Sequence, residues 1–208
     1  MDAGGKIFCI GFHKTGTTSL AEALRVLGYS VTGPNFVEDK RILDQALPLA
    51  LEVAQRYDAF QDNPWPILYR EMDEAFPGSK FILTTRPTDR WIKSVVKHFG
   101  KKDTPMRQWI YGVGHPMGNE ELYVKRFDGH YAEVREYFRD RPDDLLEFPL
   151  TEGAGWTELC PFLDAATPET DFPKLNTVSI REEKGKLTPK RAYWRLARKL
   201  KAGKTESG

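Results

Sequence analysis

The chain has 208 residues, enough for one domain with a sizeable core, or for one domain and a tail. Hydrophobic residues make up 40% and charged residues 29%, the balance of an ordinary globular chain, and the formal net charge of +1 supplies no global field for nucleic acid, so any anion site must be local. The opening MDAGGKIFCI lacks a basic flank followed by a long apolar run, so no signal peptide is expected, and no apolar stretch reaches the length of a membrane span. Cys9 and Cys160 are expected to be buried thiols in a reducing, cytoplasmic compartment rather than a disulfide or a metal site.

KIFCI is a short apolar run that stops at Gly11, the pattern of a buried parallel strand. From Thr17 the spacing turns helical through Leu20, Ala23, Leu24 and Leu27, with Gly28 as the stop. YSVT is a second strand. Residues 38 to 56 form an amphipathic helix with a bend at Pro48, and YDAFQD is a third strand ending at Asp62-Asn63-Pro64. A short helix over residues 67 to 75 breaks at FPGSK. KFILTT is the clearest strand, and Pro87 fits the first turn of a helix running toward His98. Beyond residue 100 the chain reads mostly as helix. A short helix lies in TPMRQWIYGVG, and a long one over residues 120 to 139 carries Tyr123, Phe127, Tyr131, Val134 and Phe138 on one stripe. DLLEFPL is a late strand, and GWTELCPFL is a helical turn or two. No repeats appear. The alternation of strand and helix predicts an α/β fold with a central parallel sheet between helical layers and a helical C-terminal part. Residues 1–180 are expected to form that domain and residues 181–208 a basic tail, helical or partly disordered, with ten Lys and Arg against three Glu. The tail reads either as a membrane-surface or partner-binding helix or as a solvated terminal helix, and the second reading is preferred.

The stretch IFCIGFHKTGTTSL has the glycine spacing of a phosphate-binding loop, with Gly11 and Gly16 five residues apart and Thr17 and Thr18 following. A strand, a glycine-bounded loop and a helix N-terminus together make an anion site from backbone N–H groups and the helix dipole. The lysine is displaced, however. A nucleotide kinase has it directly after the last glycine; here that residue is Thr17, and Lys14 lies inside the loop. The neighbouring strand ends in Arg86 where a metal-holding acid would stand. Those two changes favour a ligand bound without metal. Arg86 lies at the carboxyl end of a strand, where open α/β sheets bind ligands, and Ser94 returns to the same face two helical turns later. A guanidinium fork and a hydroxyl form a receptor for a second phosphate.

GFHKTGTTSL resembles the 5′-phosphosulfate loop of the sulfotransferases, and TTRPTDRWIKS resembles their 3′-phosphate segment, an arginine followed eight residues later by a serine. The run from Tyr131 through FPKLN is similar to the C-terminal part of the small single-domain members. The resemblance covers residues 6 to 177. It implies a P-loop NTPase-like three-layer α/β/α fold and a metal-independent transfer of a sulfuryl group from 3′-phosphoadenosine 5′-phosphosulfate to an acceptor hydroxyl or amine, leaving adenosine 3′,5′-bisphosphate. It places the donor on His13, Lys14, Thr15, Gly16, Thr17, Thr18, Arg86 and Ser94. Lys14 would meet the charge that grows on the leaving phosphate oxygen, and the threonines would supply N–H groups and hydroxyls. His13 stands where the family commonly has proline and reads as peripheral. The R-K-G of the usual C-terminal loop has only a loose echo in Lys184-Gly185-Lys186.

The acceptor needs a base. Asp62, at the end of the third strand, reads either as that base or as a turn-forming residue before Asn63-Pro64. His115, in the glycine-rich GVGHPMG, is a second candidate. His98 and His130 read as structural, and Glu71 as a solvated helix residue. Trp65, Tyr69, Trp109 and Tyr111 read as core before pocket. The acceptor class stays open among small alcohols, phenols, sugars, lipids and peptides, with no nucleic-acid module in view. A P-loop small-molecule kinase and a non-catalytic nucleotide-binding protein remain as alternatives.

Overall fold

A computed structural model describes residues 5 to 175. Contacts divide the chain into a unit spanning Met1–Pro173 and a second from Lys174 onward; the basic tail and the Lys184-Gly185-Lys186 segment lie outside the described residues. The first unit is built on five parallel strands: β1 (Ile7–Cys9), β2 (Val31–Thr32), β3 (Ala59–Phe60), β4 (Lys80–Thr84) and β5 (Leu145–Phe148). Their spatial order is β2-β3-β1-β4-β5. Seven α-helices flank the sheet among the described residues: α1 (Thr17–Val26), α2 (Ile42–Ala54), α3 (Tyr69–Ala75), α4 (Thr88–Phe99), α5 (Pro105–Tyr111), α6 (Glu120–Tyr137) and α7 (Trp156–Phe162). This is the three-layer α/β/α arrangement.

The central strands β1, β3 and β4 are almost wholly buried, as strands between two helical layers must be, while the edge strands β2 and β5 are partly exposed. Along β1, Ile7 and Cys9 face one layer and Phe8 and Ile10 the other, following the period of two. Leu20, Ala23 and Leu24 of α1 share the first layer with Leu159 and Cys160 of α7. The second layer is larger and aromatic, and takes in α2 through α6. Both cysteines are buried and free. Trp65, Tyr69 and Tyr111 belong to the second core, and Trp109 packs against it. The Tyr123-to-Phe138 stripe of α6 is buried as its spacing predicts.

Two local expectations shift. The bend in α2 falls at Gln45 (φ −124°, ψ 26°), a turn before Pro48, because the proline ring displaces the preceding turn rather than its own. Pro87 is the N-cap of α4 (φ −54°, ψ 129°) rather than a residue of its first turn. No helix among the described residues is long and apolar enough to cross a membrane.

Candidate functional site

The strand order decides which chain segments meet. β3, β1 and β4 are adjacent, so their carboxyl ends bring residues 60–63, 11–16 and 85–86 to one edge of the sheet. This is the edge where open α/β sheets bind ligands, and the strand order changes direction at β1.

The loop after β1 is held by its carbonyl groups. The Thr15 hydroxyl donates to the Phe12 carbonyl at 2.5 Å, the Trp91 indole N–H to the His13 carbonyl at 2.9 Å, and Nη1 of Arg86 to the Lys14 carbonyl at 2.8 Å. Three consecutive peptide oxygens therefore point into the protein. In a planar trans peptide the following N–H points the other way, so the N–H groups of His13, Lys14 and Thr15 turn toward the opposite side of the loop. Two residues take the left-handed conformation that this path needs, Lys14 at φ 68° and Gly16 at φ 107°. A Cβ on Gly16 would lie 2.6 Å from the Leu150 side chain, which would have to shift, and the φ of 107° itself disfavours any other residue. Gly16 caps α1 without a side-chain acceptor, and the first turn holds no acidic residue. The helix thus presents its positive end without a competing carboxylate of its own.

α6 fastens the strands beneath the loop. His130 Nε2–H donates to the Ile10 carbonyl at 2.8 Å, and the Tyr131 hydroxyl donates to the Thr84 carbonyl at 2.7 Å. The Thr15 and Thr84 hydroxyls lie 2.6 Å apart, which ties the loop to β4. His130 stacks on Phe12 with ring centres 4.5 Å apart, and burial pulls its pKa down to about 4.

Asp62 follows β3 at φ 60°. Its Oδ1 accepts the Asn63 N–H at 2.8 Å, and its Oδ2 lies 3.4 Å from the Thr17 hydroxyl, which donates to it. The side chain thus reaches from β3 to the first turn of α1. Burial pushes its pKa up to about 6, against the opposing pull of the Asn63 N–H, Thr17 and the Lys14 ammonium. Arg86 gives one arm to the loop carbonyl, and its buried Nε has no partner among the described residues. Burial, and then the charge of Arg90, lower its pKa. Ser94 lies partly buried in α4.

Some sequence expectations meet a different geometry. His13 is not peripheral: its ring is buried between α4 and α5, because the loop carbonyls and N–H groups turn the side chain into the second core. The Thr15 hydroxyl faces inward and is used by the protein, so what Thr15 can offer a ligand is its backbone N–H. His115 pairs through Nδ1 with Asp103 at 2.8 Å, and its carbonyl accepts from Asn119. It belongs to the turn between α5 and α6, whereas Asp62 touches α1 directly. Thr84, Tyr111 and Trp91 were not singled out as loop supports. Each is distant in sequence from what it holds, and no local pattern marks it.

The fold is that of an α/β transferase, with a glycine-bounded loop, a strand-end arginine and a carboxylate gathered at one sheet edge. The sulfotransferase domain family matches residues 6–122 and 105–179, and the chain belongs to that family. It is also similar to Ava biosynthesis cluster protein M of Aspergillus versicolor, 26% identical over 241 residues covering 94% of this chain and 88% of the relative.

Proposed function

We propose that the protein transfers a sulfuryl group from 3′-phosphoadenosine 5′-phosphosulfate to the hydroxyl or amine of an acceptor, without metal, in the cytoplasm. The observation that carries the reading is the trio of tied carbonyls at Phe12, His13 and Lys14, which turns the loop's N–H groups to one side next to Lys14 and an uncapped helix end. A donor with phosphates at both ends of a nucleoside fits the residues present. The buried, unpartnered Nε of Arg86 is a donor awaiting an acceptor, and Ser94 lies further along the helix that follows it. Thr17 stands where a kinase has its lysine, and Arg86 where a kinase has its metal-holding acid, which supports a metal-independent transfer.

In this reading Lys14 and the loop N–H groups hold the 5′-phosphate. Sulfur leaves the bridging phosphate oxygen and bonds to the acceptor oxygen or nitrogen. The released electron pair stays on phosphate, where Lys14 offsets the growing charge. Asp62 takes the acceptor proton; a carboxylate titrating near pH 6 is ionised at neutral pH and still basic enough for the task. Contact with α1 favours Asp62 over His115 for that role. The two buried free thiols support a reducing compartment.

A thermal-shift series tests the donor site. Adenosine 3′,5′-bisphosphate should stabilise the protein without Mg²⁺, by about 2.7 kcal/mol at a hundredfold excess over Kd. AMP and ATP should stabilise it less. Equal shifts with AMP and the bisphosphate would remove the 3′-phosphate site from the reading, and a strict Mg²⁺ requirement would turn it toward phosphoryl transfer.

A further inference from the structure

The buried imidazole of His13 touches two neighbours of the loop, Asn63 after β3 and Tyr111 of α5. Nδ1 lies 3.4 Å from Nδ2 of Asn63, and Nε2 lies 3.2 Å from the Tyr111 hydroxyl oxygen. Around it stand Phe12, Trp91, Phe99 and Tyr111, with Phe99 and Tyr111 edge-on to the ring. The nearby positive groups are Arg107, Lys14 and His98; with burial as the largest cause, they pull the His13 pKa down to about 3. The ring is therefore neutral through any assay range. A neutral imidazole has one donor and one acceptor nitrogen. The amide nitrogen of Asn63 can only donate, so Nδ1 accepts, and Nε2–H donates to Tyr111.

His13 immediately precedes Lys14 in the chain, and Asn63 immediately follows Asp62. Asn63 also supplies the N–H that Asp62 Oδ1 accepts at 2.8 Å. One side-chain path between the Lys14 loop and the Asp62 turn thus runs from His13 to Asn63. A second path, from Thr17 to Asp62, joins the same turn to α1 at 3.4 Å. We propose that His13 is a positioning residue: its ring, pinned by Tyr111, fixes the Asn63 turn and so sets the Asp62 carboxylate relative to Lys14. This deepens the proposed sulfuryl transfer, since it rests on Lys14 and Asp62 acting together there.

The test uses the full-length protein with His13→Leu and His13→Asn. The two side chains are nearly equal in shape, and only asparagine carries an oxygen where Nδ1 stands. The first readout needs no turnover: the Asp62 carboxyl is titrated by ¹³C NMR. The Asn63 N–H lowers the Asp62 pKa, so a loosened turn in His13→Leu should raise the midpoint by about half a unit or more, and His13→Asn should return it close to wild type. The second readout is transfer itself. His13→Leu should lower kcat by about tenfold to a hundredfold, as a small misplacement of reacting groups does, while bisphosphate affinity stays within about threefold. His13→Asn should recover most of kcat. An unchanged or lowered Asp62 midpoint in His13→Leu overturns the proposal, as does a leucine variant with wild-type kcat. Should His13→Leu fail to fold, Tyr111→Phe removes only the hydroxyl that pins the ring. It should move the Asp62 midpoint in the same direction by less, and no movement overturns the proposal. If the wild type transfers no sulfate, the proposed function fails, while the NMR midpoints still decide the role of His13.

Discussion

Asp62→Asn should separate catalysis from stability. The substitution keeps the shape of the side chain and an oxygen for the Asn63 N–H; the amide nitrogen in place of Oδ2 would have to donate to the Thr17 hydroxyl, and the charge and the basicity are removed. The carboxyl pKa rises from an ordinary 3.8 to about 6 on folding. Two units at about 1.36 kcal/mol each give about 3 kcal/mol, and the partly exposed edge of Asp62 reduces this to about 1–3 kcal/mol. The sign follows from the direction. Between pH 4 and 6 the native state binds the proton more tightly than the unfolded chain, so the Asp62 contribution to stability falls as pH rises through about 6. The ionised form is thereafter held at a cost. Asp62→Asn should then be more stable than wild type above pH 6 by that amount, with the gain fading toward pH 4. Urea unfolding of both proteins at steps from pH 4 to 8 gives the difference directly. A difference independent of pH would refute the argument that burial raises this carboxyl. In the same variant kcat should fall by about 10² to 10⁴, and wild-type kcat/KM should rise with pH through an apparent value near 6.

Lys14→Met should lower kcat by about 10² to 10³ with a much smaller loss of bisphosphate affinity, because the ammonium acts where charge develops in the transition state; single-turnover sulfate transfer at saturating donor reads the split. Arg86→Ala should weaken bisphosphate binding by about 2–4 kcal/mol in calorimetry, since it removes a phosphate donor and also frees the Lys14 carbonyl, whereas Ser94→Ala should cost about 1 kcal/mol. Gly16→Ala should destabilise the protein by about 1–3 kcal/mol, because φ 107° and the nearby Leu150 side chain both oppose a Cβ; an unchanged melting temperature would refute it. For His130, whose pKa falls to about 4 on burial, stability present above pH 6.5 should be lost as pH falls toward 4, and His130→Gln should flatten acid unfolding in that window.

The chain order of strands and helices was legible because it rests on local patterns. β1 and β4 are unbroken apolar runs bounded by glycine, proline or charge. α1 and α6 repeat apolar residues at helical spacing, and each meets a layer large enough to bury them. The strand–loop–helix turn around Gly11 and Gly16 was legible for a similar reason: the two glycines flank a fixed number of residues, and that spacing is itself a geometric requirement. Pairings were not legible. Trp91 reaches the His13 carbonyl across 78 residues, and Tyr111 reaches its ring across 98. No periodicity encodes which buried hydroxyl meets which imidazole.

Sequence alone therefore determined the strand–loop–helix grammar of the site, the displacement of the lysine and the arginine at a strand end, because each is set by neighbours within a few residues. The tertiary structure decided which strand ends are adjacent, and thus that Asp62 rather than His115 reaches the first turn of α1. It also turned His13 from the loop's rim into the core. The first follows from the sheet order β2-β3-β1-β4-β5, which places the ends of β3 and β4 on either side of the loop, and the second from the tied carbonyls that turn the loop. Strand order is fixed by packing two helical layers over the whole sheet, a condition that no short stretch of sequence contains.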